Sequence, residues 1–274
     1  WSEKFNPGVP NGYDLAGKPV PVYIYPEKGS GGLFATVEDI AFFLAAGMPS
    51  FSQDQPVLSA QSINALYTPT ITGLGIYSLV FDAYGLGYYI ESLGDRQAVS
   101  HGGQGAGWMT HFHAVPETGD GIVILTNSQR SWPFIAYILR DWAQWSGLPS
   151  IGMGKIISGQ HVLTILVGLI WVTILWWGWR LGKGLVSKKC RFAPLAKESR
   201  SLRLLQGSIA FILLSGLWWC LNQDYLFISS VFPVVAGWLG ISTAIFALLL
   251  LFSALVVRKV IRNISSSKRG IMDG

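Results

Sequence analysis

Two kinds of hydrophobic pattern divide the chain near Pro149. Before it, several short runs alternate apolar and polar residues, as half-buried strands do, and other runs repeat apolar residues at helical spacing. After it, three runs contain no charged residue, and each is near or above the roughly 18–20 residues that cross a bilayer. The sequence therefore predicts an α+β domain followed by a membrane domain, with the boundary between residues 149 and 150.

The first part alternates helical and extended segments. Thr36 is a good N-cap for a helix that runs to Leu44, because acidic residues follow in its first turn. Two more helices are predicted at 59–67 and 132–145, and strands at 84–92, 97–100, 109–115 and 121–126. This order predicts an antiparallel sheet flanked by helices.

The second part has the features of three membrane-spanning helices, at about 162–179, 204–221 and 231–257. The loop 180–203 between the first two contains eight Lys/Arg and one Glu, whereas 222–230 contains no basic residue. Because basic loops stay in the cytoplasm, we predict that 180–203 and the C-terminus are cytoplasmic and that residues 1–160 are extracytoplasmic. The competing interpretation is three buried helices of a large soluble protein.

Charge follows the same division. Residues 1–150 contain six Lys/Arg and twelve Asp/Glu, whereas residues 151–274 contain fourteen and three, and the whole chain has a net charge of +5. The basic excess therefore belongs to the membrane part and does not indicate a nucleic-acid partner.

The candidate chemistry lies in the segment 99–108, Val-Ser-His-Gly-Gly-Gln-Gly-Ala-Gly-Trp. Four of its six residues from 102 to 107 are glycine, which lets a backbone approach another group closely. A titratable side chain, His101, stands at the head of this segment. His111 and His113 share one face of a predicted strand, but no carboxylate or Cys joins them at ligand spacing. We predict no metal and no cofactor, and we interpret Tyr84, Tyr88 and Tyr89 as strand packing.

Four segments in order resemble a known family. They are Gly31-Gly32-Leu33-Phe34 before a helix, Tyr84-Gly85-Leu86-Gly87-Tyr88, His101-Gly102-Gly103, and Ile122-Val123-Ile124-Leu125-Thr126-Asn127-Ser128. Together they resemble the C-terminal part of the serine β-lactamase-like, penicillin-binding hydrolases, which include class C β-lactamases, D-Ala-D-Ala carboxypeptidases and related esterases. The resemblance covers roughly residues 10–146.

The resemblance implies roles for one strand. In this family, a Ser-x-x-Lys nucleophile and a Tyr-x-Asn loop face a strand that carries a Lys-Thr-Gly or His-x-Gly triad. His101, Gly103 and Gln104 would then be catalytic: His101 would hold or polarise the substrate, and the backbone N–H of Gln104 would form half of an oxyanion hole. Gly102 and Gly105 would bind the substrate.

The other two family motifs do not appear where the resemblance requires them. Ser-x-x-Lys occurs only at Ser265–Lys268, in the basic tail, and Tyr-x-Asn does not occur in residues 1–150. We therefore expect the nucleophile and the general base to lie upstream of Trp1, in a longer protein. This chain alone is not expected to form an acyl-enzyme.

Three hypotheses for function follow. The first is a membrane-anchored serine hydrolase, in a bacterial cytoplasmic membrane, that acts on D-Ala-D-Ala-type peptides, β-lactams or esters and contacts peptidoglycan. The second is a non-catalytic cell-wall-binding or regulatory membrane protein that retains the fold. In the third, the spans carry the main role, such as sensing. No carboxylate or Lys lies inside the spans, which argues against ion or solute transport.

Overall fold

The structure is a computed structural model, which describes residues 8–22, 24–27, 29, 31–51, 57–194, 196, 198–223 and 226–258. The chain forms two compact units, Trp1–Thr164 with Tyr225–Gly237 and Ile165–Asp224 with Trp238–Gly274. The Ser-x-x-Lys sequence at 265–268 and most of the predicted basic tail lie outside the described residues.

The elements follow one another in this order. The strands are β1 (Gly12–Tyr13), β2 (Pro19–Val20), β3 (Ile71–Thr72), β4 (Ala83–Tyr84), β5 (Tyr89–Leu93), β6 (Arg96–Gly105), β7 (Trp108–Val115), β8 (Asp120–Thr126), β9 (Cys190–Phe192) and β10 (Val256–Arg258). The helices are α1 (Val37–Ala45), α2 (Ala60–Tyr67), α3 (Trp132–Trp145), α4 (Gly154–Val186), α5 (Arg200–Leu221), α6 (Phe227–Val231) and α7 (Pro233–Ala254), with a 3-10 helix at Gly75–Leu79.

A six-stranded sheet forms the centre of the first unit. Its strands are ordered β3-β4-β5-β6-β7-β8, and every neighbouring pair is antiparallel. Strands β6, β7 and β8 are the longest, and they are joined by short connections of two and four residues, as expected for hairpins.

Helices cover both faces of this sheet. Helix α3 buries Ile135 and Leu139 completely against the face that carries Met109 and Val115. On the other face, Leu44 at the end of α1 packs with Val99 and Ala114. The fold is therefore α+β, with an antiparallel sheet flanked by helices, as the sequence pattern predicts.

Helix α1 begins as the sequence predicts, with a capping box. The Thr36 hydroxyl accepts a hydrogen bond from the Asp39 N–H at 3.2 Å, and the Asp39 carboxylate accepts one from the Thr36 N–H at 2.9 Å. These two bonds satisfy N–H groups that the first turn of a helix leaves free.

Two predicted strands have other bounds in the structure. The single strand predicted at 84–92 is wrong: β4 ends at Tyr84, and the chain turns before β5 begins at Tyr89. Gly87 has a φ of +90° in this turn, a conformation that favours glycine. The strand predicted at 97–100 continues to Gly105, because the glycine-rich segment pairs with β7.

Three helices among the described residues are long and apolar enough to cross a membrane: α4, α5 and α7. This finding confirms the three predicted apolar helices and indicates contact with lipid. The third predicted run began at residue 231, but Val231 ends the separate helix α6. Pro233 begins α7, and a proline disfavours helical backbone at the residue before it, here Phe232.

Candidate active site

The site that we consider is the second half of strand β6. Residues 96–100 pair with β5 on one side, and two of them, Val99 and Ser100, also pair with β7 on the other. Strand β5 begins at Tyr89, which pairs with Ser100, so residues 101–105 pair only with β7 among the described strands. We call residues 101–105 the open half of β6, and residues 96–100 the closed half.

The backbone of the open half presents hydrogen-bonding groups to the unpaired edge. A two-residue hairpin joins Gly105 to Trp108, and such a hairpin closes on a hydrogen-bonded pair. Because backbone groups alternate between the two edges of an antiparallel strand, the N–H and C=O groups of Gly102 and Gln104 face away from β7. This register places the N–H of Gln104 where a ligand at the open edge can accept its hydrogen bond.

His101 lies at the start of the open half, between aromatic side chains. Its Nε2 atom lies 3.2 Å from the hydroxyl of Tyr84, at hydrogen-bond distance. Its ring stacks on Tyr89 with ring centres 5.6 Å apart. Burial lowers the pKa of His101, and a backbone hydrogen bond involving Gly102 opposes this effect. At neutral pH the imidazole is therefore uncharged and can donate or accept a hydrogen bond through Nε2.

Close packing explains the glycines of the open half. A β-carbon at Gly103 would lie 2.6 Å from the Thr110 hydroxyl oxygen, and one at Gly105 would lie 2.5 Å from the Tyr25 hydroxyl oxygen. Gly107, in the hairpin, has a φ of +89° and is in contact with the backbone of Gly12. Larger residues would displace these neighbours, so glycine keeps the strand end both narrow and in place.

Three hydrogen bonds from distant parts of the first unit hold the hairpin. The Tyr13 N–H donates to the Gly107 carbonyl at 3.0 Å, and the Gln129 side chain donates to the Gly105 carbonyl at 2.8 Å. The Gln104 side chain itself donates to the Ser230 hydroxyl at 3.1 Å. Donors held in this way do not have to reorganise when charge develops on a bound substrate, which is the requirement for an oxyanion hole.

The other two histidines of the region lie on the opposite face of the sheet, inside the core beneath α3. His111 is 2% exposed and His113 is fully buried, and burial lowers the pKa of both, that of His113 to about 4. Among the described residues, no group of three or more His, Cys, Asp or Glu side chains could hold a metal ion. Burial therefore keeps both imidazoles uncharged at neutral pH.

The structure places the five predicted site residues together: His101, Gly102, Gly103, Gln104 and Gly105 form one continuous strand end. It also brings in two side chains that the sequence analysis did not assign to a site. Tyr84, interpreted as packing, is close enough to His101 for a hydrogen bond, and Ser230 bonds to Gln104. The glycines of the Gly85-x-Gly87 turn could have indicated that Tyr84 stands at a strand end near the site. No sequence signal links residues 104 and 230.

The sequence relates the first unit to the serine hydrolases. A family model described as Beta-lactamase matches residues 3–141, just over half of the 274-residue chain. The chain therefore belongs to the β-lactamase family, and its substrates are expected among small molecules. No curated protein matches the chain.

Proposed function

We propose that the first unit is the strand-bearing side of a serine hydrolase site that forms an acyl-enzyme with D-Ala-D-Ala-type peptides, β-lactams or esters. The observation that carries this proposal is the open half of β6, where His101 and the outward N–H of Gln104 stand together at an unpaired sheet edge. A substrate that pairs with this edge meets glycines rather than bulky side chains. The reaction class comes from the family to which the chain belongs.

Each residue of the open half has a role in this proposal. His101, uncharged and next to the Tyr84 hydroxyl, holds or polarises the substrate. The N–H of Gln104 donates to the developing oxyanion, a contribution of about 2.7–4 kcal/mol for one donor. Gly103 lets the substrate approach the strand, and Gly102 offers its outward N–H and C=O groups. Gly105 directs its backbone groups toward β7, so in this proposal it contributes only its lack of a side chain.

The nucleophile is not supplied by the described residues. Ser-x-x-Lys occurs in the sequence only at 265–268, after the last apolar helix. In our proposal, the nucleophile and its base are contributed by sequence other than these 274 residues. Several apolar side chains on and near α1 are exposed, including Leu33 and Phe42, and we propose that the segment that carries the nucleophile packs against the face they form.

The membrane location is part of the same proposal. The basic loop 180–203 lies between α4 and α5, whereas the segment 222–230 contains no basic residue. By the positive-inside rule, the first unit faces the outside of a bacterial cytoplasmic membrane, where it contacts peptidoglycan, and the C-terminus is cytoplasmic. In this proposal residues 1–149 form the hydrolase domain and residues 150–274 form the membrane domain, apart from the segments 150–164 and 225–237, which belong to the first unit.

The second candidate function is that of a non-catalytic membrane protein, cell-wall-binding or regulatory, that retains the fold of the family. The observation in its favour is that the chain carries neither Ser-x-x-Lys nor Tyr-x-Asn in its first 150 residues. This candidate predicts reversible binding of wall peptides at the open half, without a covalent adduct.

Covalent labelling of the natural full-length protein separates the two candidates. Membranes that contain it are treated with a fluorescent penicillin and, separately, with a fluorescent fluorophosphonate, with and without an excess of unlabelled penicillin. The hydrolase predicts a labelled band that the unlabelled competitor removes. If neither reagent labels protein that is demonstrably folded, the acyl-enzyme proposal is wrong.

A further inference from the structure

A short segment between two apolar helices packs beside the candidate site. Residues 226–232 contain α6 and stand in the chain between α5 and α7, yet they belong to the first unit. Ser230 is fully buried, and Val231, 5% exposed, joins the core cluster that contains Met109 and Ile135. We call residues 226–232 the connector. Its burial makes it part of the domain core.

The connector reaches the open half of β6 through a hydrogen bond. The Ser230 hydroxyl accepts from Nε2 of Gln104 at 3.1 Å. Ser230 is fully buried in the core, whereas Gln104 is exposed. The bond therefore restrains the residue whose backbone N–H faces the open edge.

A second contact joins the connector to the histidine end of the same segment. The Phe227 ring meets the Tyr77 ring edge to face, with centres 6.2 Å apart. Tyr77 in turn packs on Tyr89, at 5.9 Å, and Tyr89 stacks on His101. The connector thus contacts the open half at Gln104 directly and at His101 through two aromatic rings.

From these two contacts, we infer that the connector forms one side of the substrate site and that Ser230 is a positioning residue, which holds Gln104 in register for the oxyanion. This inference rests on the proposed function, because it assigns the connector to that same site. It adds a residue that is distant in the sequence and belongs to none of the family motifs. A misplaced donor contributes less to the transition state than a fixed one, so the effect should appear in the rate of acylation.

The experiment compares Ser230→Ala with Ser229→Ala, a matched control one residue away on the same short helix. The rate of covalent labelling of the full-length protein is measured against the concentration of fluorescent penicillin. In Ser230→Ala we expect the maximal rate to fall on the order of tenfold, less than for complete loss of an oxyanion donor, with little change in the half-saturating concentration. Ser229→Ala should label at the normal rate. With Gln104→Ala already present, Ser230→Ala should have little further effect, since the two side chains act as a pair.

Hydrogen–deuterium exchange of peptides that cover residues 101–108 gives a readout that does not require activity. Ser230→Ala should speed exchange there, and Ser229→Ala should not. If the wild-type protein labels but the two variants label alike, the inference is overturned while the proposed function stands. If the wild-type protein does not label, the proposed function fails, and the exchange experiment alone tests the positioning role of Ser230. Faster exchange in Ser230→Ala but not in Ser229→Ala supports that role. Equal exchange in both variants overturns it.

Discussion

The two halves of strand β6 share one backbone and differ in what surrounds them. In the closed half, Ala98, Val99 and Ser100 are at most 1% exposed and pair with β5, and Val99 and Ser100 also pair with β7. In the open half, one side has no strand partner among the described residues, and three of the five residues are glycine. A sheet can therefore offer fixed hydrogen-bonding groups to a ligand simply by ending one strand early, and the neighbouring packing keeps those groups in place.

The largest expected effect comes from the hairpin that ends the open half. In Gly107→Ala, the added β-carbon contacts Val20 and lies 2.8 Å from the Gly12 α-carbon, and the residue must also keep its φ of +89°. We expect a loss of about 3–5 kcal/mol in the free energy of unfolding, from backbone strain and overpacking together. Denaturant unfolding of the detergent-solubilised protein measures it.

Gly87→Ala is the matched control for this variant. Gly87 has nearly the same φ, +90°, but nothing lies within 4 Å of an added β-carbon there. In Gly87→Ala, backbone strain alone should lower the free energy of unfolding, by about 1–2 kcal/mol. Equal losses in the two variants would show that close packing does not hold the hairpin.

The next-largest effect is a pH dependence of stability that arises at Glu91 of β5, which pairs with Ala98 in the closed half. Burial raises the pKa of Glu91 from 4.5 to about 7. A hydrogen bond from the Gly152 N–H at 2.6 Å opposes this rise, and so does the charge of Lys155. The charge of Asp82 adds to the rise. Between these two values the folded protein holds a proton that the unfolded chain releases. Stability should therefore fall by roughly 3 kcal/mol as the pH rises from about 4.5 to 7.

Glu91→Gln isolates this contribution. Gln cannot ionise and still offers an oxygen to the Gly152 N–H, so the difference in unfolding free energy between wild type and variant should shift in favour of the variant as the pH rises. Taking the difference removes the contribution of His113 and His111, whose lowered pKa values make stability fall as the pH drops below 6.5. A difference that does not vary with pH would contradict the buried, protonated carboxyl.

His101→Ala tests the head of the open half. The variant removes the group that holds or polarises the substrate, so we expect covalent labelling to slow on the order of 10²-fold, the lower range for a positioned acid–base group. Thermal unfolding should change little, because His101 is only partly buried. His161→Ala, an exposed histidine in α4, serves as the control. Normal labelling of His101→Ala would remove His101 from the mechanism.

The smallest effect is expected at Tyr84. Tyr84→Phe removes the hydroxyl that lies 3.2 Å from Nε2 of His101 but keeps the ring that packs against Tyr89. Loss of one such hydrogen bond costs about 1 kcal/mol, or roughly a fivefold change in labelling rate. Tyr137→Phe on α3 should leave the rate unchanged. A rate for Tyr84→Phe equal to that of Tyr137→Phe would mean that this hydrogen bond does not orient the imidazole.

The sequence predicts the regular parts of the first unit because their patterns are local. Polar and apolar residues alternate over 111–114, and the helix at 132–145 has the same bounds in the structure as in the prediction. The break after Tyr84 was missed because the apolar run continues through a glycine turn. The late start of β5 at Tyr89, which leaves the edge open, depends on a register between strands that no single segment specifies.

The contact between Gln104 and Ser230 shows more clearly what local sequence patterns cannot predict. The two residues are 126 positions apart, and Ser230 follows an apolar helix that reads as a membrane span. Hydrophobic periodicity assigns such a residue to a membrane loop. Only the three-dimensional packing of Val231 and Phe232 against the domain core brings it to the site.

The most direct test of the account is hydrogen–deuterium exchange of the natural full-length protein before and after reaction with benzylpenicillin, followed by mass spectrometry that resolves the two halves of β6. We predict a covalent adduct, with slower exchange at residues 101–105 and unchanged exchange at residues 96–100. An adduct that leaves exchange at 101–105 unchanged would contradict the claim that the open half of β6 is a wall of the site.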